Sequence, residues 1–577
     1  MNDRDRQRRE LQEQCRTRCF GVHAACRHSV DSEELLKVDG QKGGAAQVIL
    51  SMHARKAITS SHVLNTTQTQ PQIYAIVEGP RFKEIVNSYV QLEGTQDSSK
   101  RICIIGAGPA GLAALKIILD TPQYQSGAWV PIAYEARDQV GGVWLPAATT
   151  ADGPPFSPLY DSLTTNLPHP VMAYKSLSFP PETAVFPPAH VVETYLKSYA
   201  QKFSLSPHIQ LNTSVETVER STDGRWKVKL SSNEVEEFDF LIVCNGHYRV
   251  PRYPELPGLE SWMATKHAMH SAWYRRPTHE YGDKVLIIGA GPSGLDISSE
   301  MAEYGVIIIH SIRGHGSQDL GNIKRRGSVI QLKDNGEVLF EDGTVEEGVS
   351  FCIVATGYET AFPFLPDPDI IRNALPPSIP PIPEALYNST FHVFPLAKHI
   401  FPLGYKNPNI AFLGLLVRVV PFPLLEAQAR ATVHVFANSS ALDSTREAVD
   451  IMSRYSDLFS ELGSEDPLLI AHAWHRFVEH EQFDYRDQLY EFADASTQQG
   501  TIGIGGRIVV PDWEKKMYDA KIVLRKFWVH LEKEGSADEW VRDVGKGGMH
   551  EWIELLERML SKAESSDSGE SSKGEFR

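Results

Sequence analysis

Two segments of this chain share one pattern: a β-branched apolar run enters G-x-G-x-x-G and leaves as an apolar repeat of helical period. They are RICIIGAGPAGLAAL, residues 101–115, and KVLIIGAGPSGLDIS, residues 284–298. Each predicts a strand, a tight turn and a helix, the context in which the glycines acquire a meaning. Gly106 and Gly289 take the turn, Gly108 and Gly291 let main chain approach a pyrophosphate, and Gly111 and Gly294 let the helix lie close on its strand. Phosphates are favoured at the helix N-terminus, where N–H groups lack partners and the macrodipole is positive. A single G-x-G-x-x-G is often an ordinary turn. Two copies, both in context, predict two dinucleotide sites.

The residues around the loops distinguish the sites. In the first, Ala107, Pro109 and Ala110 complete the loop, and a second apolar run ends at Glu135, close to the ~20-residue spacing at which an acid meets ribose hydroxyls. An unphosphorylated adenosine ribose, as in FAD or NAD, suits that acid. In the second, Ser293 and Asp296 continue the loop, and the corresponding strand ends without an acid but offers Ser311 and Arg313. A hydroxyl and a planar cation suit a 2′-phosphate, which predicts NADPH.

Two further apolar strands, residues 241–244 and 351–354, break at Asn245-Gly246 and at Thr356-Gly357. They bracket the second glycine loop. The expected architecture is therefore α/β, two Rossmann-like dinucleotide-binding domains with the NADP domain inserted into the FAD domain, as in glutathione-reductase-like proteins. The expected organisation is an N-terminal extension over 1–99, a first FAD part over 100–250, the NADP domain over 251–365, a second FAD part with C-terminal helices over 366–560, and a disordered polar tail over 561–577.

The chain resembles the flavin-containing monooxygenases of fungal and yeast type, class B flavoprotein monooxygenases. The residues that carry this are GAGPAG with Glu135, GGVW at 141–144, YDSLTTNLP at 160–168, FPPAHVVETYLKSYAQKF at 186–203, HSAWYRRP at 270–277, GAGPSGLD, VATGY, NPNIAFLGLLVRVVPFPLLEAQAR at 407–430 and EQFDYRDQL at 481–489. They run in the family's order over residues ~100 to 500. The resemblance implies FAD contacts from Gly142, Val143, Trp144, Thr165, Asn166 and Leu167, with Asn166 as the catalytic residue. It implies NADPH-dependent transfer of one oxygen atom from a flavin C4a-hydroperoxide to a soft nucleophile, sulfur or nitrogen, of a small molecule, with molecular oxygen as co-substrate. It also implies that the helix opening at Pro421-Phe422-Pro423 points its N-terminus at the flavin. One departure stands out. The family's linker fingerprint, similar to F-x-G-x-x-x-H followed by Tyr or Phe, keeps His270 and Tyr274 but has Ala264 and Lys266 at the Phe and Gly positions. Tyr274 favours heteroatom oxygenation; Baeyer–Villiger oxygenation of a ketone and uncoupled NADPH oxidation are the alternatives.

Composition narrows the classes further. With 57 basic and 73 acidic side chains the net charge is −16, an unlikely surface for nucleic acid. No CxxC occurs, which excludes flavin-to-dithiol reductase chemistry, and Cys103, Cys244 and Cys352 fall in apolar strands as inert buried thiols. No metal site is expected: Cys15, Cys19, Cys26, His23 and His28 follow no recognised ligand spacing, and nearby acids argue against a mitochondrial presequence. No apolar run reaches the ~18 residues of a spanning helix. A soluble, cytoplasmic enzyme is expected, and a homo-oligomer is compatible with it.

Overall fold

The computed structural model describes residues 99–149, 153–405, 407–478, 480–494 and 510–571. The expected extension, with its three cysteines, lies outside them apart from Ser99, and so do residues 572–577.

The two apolar runs that enter the glycine loops become the centres of two parallel sheets. Lys100–Ile105 has four residues in sequence buried, the pattern of a strand covered on both faces. Its sheet runs Ile410–Phe412, Phe240–Val243, Lys100–Ile105, Trp129–Tyr134 and Ile209–Gln210, all parallel. Lys284–Ile288 is central to the second sheet, flanked by Ile307–Ser311 and Ile323–Arg326 on one side and by Phe351–Val354 and Ala268–His270 on the other, again parallel. An antiparallel edge, Gln318–Leu320, closes it. Each half also carries a three-stranded antiparallel meander, Val215–Phe238 and Val329–Glu346, between its second and its last buried strand. The halves repeat one plan.

The chain passes between them twice, and the passages pair. Val250–Pro251 runs antiparallel to Tyr358–Glu359. Arg252 N–H donates to Gly357 O at 2.9 Å, and Thr356 Oγ1 donates to Arg252 O at 2.6 Å. Gly246 at φ +72° and Gly357 at φ +84° make the turns that leave the buried strands.

The C-terminal helices do not stand apart. Trp528, Leu531, Trp552, Leu555, Leu556 and Met559 share one core with Leu112, Leu115 and Phe422 of the first half. The expectation of a disordered tail from residue 561 needs correction: helix Met549–Ser571 runs ten residues beyond it. Its apolar residues at helical spacing are buried, and once a helix is nucleated the polar residues that follow add to it at little cost. Among the described residues no helix is long and apolar enough to cross a membrane.

Candidate active site

The glycine loops are built as their spacing requires. A Cβ on Gly106, at φ +98°, would lie 2.7 Å from Cys244 O, and one on Gly289, at φ +116°, 2.4 Å from Ala355 O. A Cβ on Gly111 would lie 1.9 Å from Gly106 O, and one on Gly294 2.0 Å from Gly289 O. Each loop is thus pressed against the exit of its neighbouring buried strand. The middle glycines differ. Gly108 meets Gly142 Cα at 3.2 Å, so it lets the GGVW loop close down, whereas Gly291 has nothing within 4 Å.

That difference extends to the surroundings. In the first loop Ala107, Gly108 and Ala110 are buried, and Gly141 N–H donates to Ala107 O at 3.2 Å. In the second loop Gly291, Leu295 and Asp296 are exposed and Ser293 is half-buried. The first site is a covered cradle and the second an open ledge.

Glu135 follows the second strand of the first sheet and is buried. Its Oε2 accepts from Ala107 N–H at 2.8 Å and its Oε1 from Arg137 N–H at 3.1 Å. Burial pushes its carboxyl above the usual carboxylate range, while these N–H groups and Arg137 oppose the shift. The acid therefore braces the glycine loop through its two carboxyl oxygens.

The helix of residues 109–119 begins at Pro109 with Gly108 as its cap, and the helix Pro421–Ala437 begins with prolines beside it. Both use proline in the first turn, where no N–H is needed. Phe422 stacks on Tyr174 at 4.9 Å and meets Trp144 edge-on at 6.5 Å, and Tyr174 Oη donates to Pro109 O at 2.6 Å. A Cβ on Gly414 would touch Leu425 at 3.3 Å and Ala110 at 3.9 Å. Two helix N-termini thus converge beside the GGVW turn, a place that favours negative charge. Val143 O in that turn accepts from Ser157 Oγ.

The segment Tyr160–Pro168 runs between the two halves. Tyr160 Oη donates to Asp296 Oδ2, and its ring meets that of Tyr274 at 6.0 Å. Tyr274 is fully buried and donates to Glu300 Oε2 at 2.6 Å. Arg275 reaches back to Ala147 O and Ser157 O. Thr165 is buried and donates to Leu167 O at 2.8 Å, whereas Asn166 is exposed. The latter's amide has donors and an acceptor to offer.

Two residues expected to contact a nucleotide already have partners within the protein. Ser311 is buried and gives its only hydroxyl proton to Gly327 O at 2.9 Å, so it has none for a phosphate oxygen. Asp296 accepts from Tyr160 across the domain junction. Arg313 is exposed beyond the strand end and remains available. Tyr160, Arg275 and Arg525 tie the surroundings of this segment together through contacts that spacing did not reveal, because their partners lie more than a hundred residues away.

The residues present fit two dinucleotides: each loop forbids a side chain where the fold is tight, and the open space at Gly291 and the buried acid at Glu135 match a pyrophosphate and a ribose. Among the described residues no group of His, Cys, Asp and Glu could hold a metal ion.

The profile of the flavin-binding monooxygenase-like family matches residues 99–318 and 315–467. The chain is 29% identical over 362 residues to the thiol-specific monooxygenase of Saccharomyces cerevisiae, covering 61% of this chain and 80% of that one. It is 27% identical over 476 residues to flavin-containing monooxygenase FMO GS-OX-like 4 of Arabidopsis thaliana, covering 77% and 94%. Among solved structures, S-allyl-L-cysteine S-oxygenase from Allium sativum matches with a TM-score of 0.61 at 26% identity, covering 82% of this chain and 99% of that one.

Proposed function

As a member of the flavin-binding monooxygenase-like family the chain is a flavin-dependent monooxygenase, and we propose that it uses FAD and NADPH to transfer one atom of molecular oxygen to sulfur or nitrogen of a small molecule, sulfur before nitrogen. The observation that carries this reading is the contrast between the loops: a covered cradle at Gly106–Gly111 suits a resident flavin, and an open ledge at Gly289–Gly294 suits a cofactor that enters and leaves each turnover. Two of its relatives, a thiol-specific monooxygenase and an S-oxygenase, support the preference for sulfur.

In this reading FAD is held by the first loop, Glu135 and the GGVW turn, and NADPH by the second loop and Arg313. When bound, the pair supplies the two electrons that activate oxygen. The chain's own residues bind, orient and exclude water. The converging N-termini of the helices starting at Pro109 and Pro421 stabilise negative charge on diphosphate and on the ring system. Asn166 is the side chain that hydrogen-bonds at the reacting centre.

Product analysis with purified enzyme, NADPH and a panel of sulfides, thiols and tertiary amines tests the activity. Sulfoxide or N-oxide is expected; an ester or lactone from a ketone panel in their absence would overturn it. Asn166→Ala is expected to keep NADPH oxidation within about tenfold of the parent, ~1.4 kcal/mol or less in the barrier, but to release hydrogen peroxide in place of product. A variant with unchanged product per NADPH would make Asn166 a turn residue only.

Arg313 carries the choice of NADPH over NADH. A charge-assisted contact of this kind is worth about 1.5–3 kcal/mol, roughly 10- to 150-fold. Arg313→Ala should raise KM for NADPH by that factor and leave KM for NADH nearly unchanged; equal losses would assign Arg313 to the scaffold.

A further inference from the structure

His472 lies in the last turn of helix Pro467–Trp474, at the end of a chain of contacts that starts on the second glycine loop. That loop is packed on the exit of strand Phe351–Val354, where Gly357 O accepts from Arg252 N–H at 2.9 Å. The Arg252 guanidinium lies 3.5 Å from the Phe391 ring centroid and donates to Thr390 O at 2.8 Å. The Phe391 ring meets that of His472 edge-on at 5.1 Å, and Arg476 Nη2 donates to His472 Nε2 at 3.3 Å. Val417 forms a parallel bridge with Arg476, which brings Arg418 beside it. Arg313 joins from the other side of the loop: burial, and then the charges of Arg476, Arg252, Arg313 and Arg418, hold the His472 imidazole at about 4.

These cations have little counter-charge. Glu359 Oε1 lies 3.9 Å from Arg252 Nη1, and among the described residues no acid forms an ion pair with Arg313, Arg418 or Arg476. Arg418 is exposed, and its guanidinium makes no hydrogen bond among the described residues. His472 and Arg313 are exposed as well, so a solute reaches the group directly. Surface lined by one sign of charge draws in the other.

Position selects the anion. Strands Ile307–Ser311 and Phe351–Val354 flank Lys284–Ile288 in one parallel sheet, so Arg313 follows one neighbour of the glycine loop and Arg252 is held at the other. Strands spaced by ~4.8 Å set those two ends roughly 10 Å apart, with the loop between them. A dinucleotide on such a loop lies outside the carboxyl ends of the strands, its diphosphate at the helix N-terminus. With the 2′-phosphate at Arg313, the diphosphate falls between Arg313 and the side on which His472, Arg476 and Arg418 stand.

We propose that Arg418 and Arg476, with His472 beside them, form an anion clamp that faces the glycine loop at Gly289–Gly294 and binds the diphosphate of NADPH, so that the cofactor is held from both halves of the chain. The inference rests on the reading of the second loop as the NADPH site. Arg252 is the positioning residue, fixing Phe391 and through it His472. The clamp reads a group that NADPH and NADH share, and the choice between them stays with Arg313.

Calorimetry on the oxidised, FAD-loaded enzyme with NADP+, NAD+ and adenosine 2′-monophosphate tests it. Arg418→Gln and Arg476→Gln should each weaken both dinucleotides by a common factor of roughly ten. Both should leave adenosine 2′-monophosphate, which has no diphosphate, unchanged. Arg313→Ala should instead weaken NADP+ and the monophosphate but not NAD+. Wild-type affinity for NADP+ should fall as salt rises, and the double variant should show a shallower dependence. Arg418→Gln, on exposed surface, is the folding-safe variant and should keep the yellow colour and the unfolding midpoint. A loss confined to NADP+, or none in either variant, overturns the proposal, as does a raised KM for an acid-bearing sulfide with dinucleotide affinity unchanged. If the wild type binds neither dinucleotide, the NADPH reading falls and the clamp with it; if it binds both and the variants bind them equally well, only the clamp falls.

Discussion

Lys266 holds a backbone conformation, φ +60°, that side chains disfavour. It follows helix Leu259–Ala264, its own N–H bonds Met263 O at 3.1 Å, and His267 N–H reaches back to Trp262 O at 2.7 Å. That is the left-handed C-terminal cap that glycine usually fills. The glycine of the family's linker fingerprint falls at this position, so its replacement changes the strain and keeps the geometry. Downstream, His270 still accepts from Ala272 N–H at 3.1 Å and Tyr274 still reaches Glu300. Lys266→Gly is expected to raise stability by about 0.5–1 kcal/mol, the left-handed cost relieved less glycine's greater unfolded entropy. Urea denaturation checks it, and a loss of stability would mean that the lysine makes a contact worth more than the strain.

Buried histidines tie the strap that leads into helix Pro421–Ala437. His475 Nε2 accepts from Val393 N–H at 3.1 Å, which places its proton on Nδ1, facing His399 Nδ1 at 3.1 Å. His399 must then carry its proton on Nε2, and both rings are neutral. His475 O in turn accepts from Val417 N–H at 2.9 Å, just before the helix entry. Burial pushes both far below the ordinary imidazole value, with neighbouring Arg454 adding to it, and holds His270 and His392 at about 4. Groups depressed in the folded state leave the unfolded chain holding more protons, so their stability is whole above about pH 6.5 and is lost as pH falls towards 4. Each costs about 1.4 kcal/mol per pH unit inside that window. Unfolding midpoints should drop between pH 7 and pH 5, and His392→Gln should flatten the dependence; an unchanged slope in that variant would remove His392 from this set.

The C-terminal helices are held to the rest of the molecule by a buried ionic knot. Glu514 accepts from Arg486 and from Lys175, joining helices Asp512–Asp519 and Glu481–Asp494 to the segment after Met172. Glu514 and Arg486 have no exposed surface. Removing one partner of such a pair leaves an uncompensated buried charge and costs about 3–5 kcal/mol. Since a domain's whole stability is ~5–15 kcal/mol, Glu514→Gln should strip much of it, and Glu514→Gln with Arg486→Met should restore part. Thermal unfolding followed by both flavin and tryptophan fluorescence checks this. The shared core further predicts that the two probes report one transition; a separate early loss of tryptophan signal would show the helices to be an independent unit.

Much of this fold is written in short spans of chain. The glycine loops, Glu135 and the breaks at Gly246 and Gly357 are local features, each fixed by backbone geometry within a turn or a strand, and so they are legible in order of residues alone. The proline-headed helix is legible for the same reason. The helical course of residues 561–571 was not, because a polar stretch continues a helix only when a buried apolar stripe precedes it in space. What the tertiary structure alone decided is which local features meet. Ser311 and Asp296 turn to Gly327 and Tyr160, partners set by sheet register and by domain juxtaposition. Arg525 reaches Thr164 across 361 residues, and no period or spacing encodes a contact that arises only when the C-terminal helices close over the first half's core. Local sterics specify elements within a few residues; side-chain partnership across a junction depends on how whole surfaces pack.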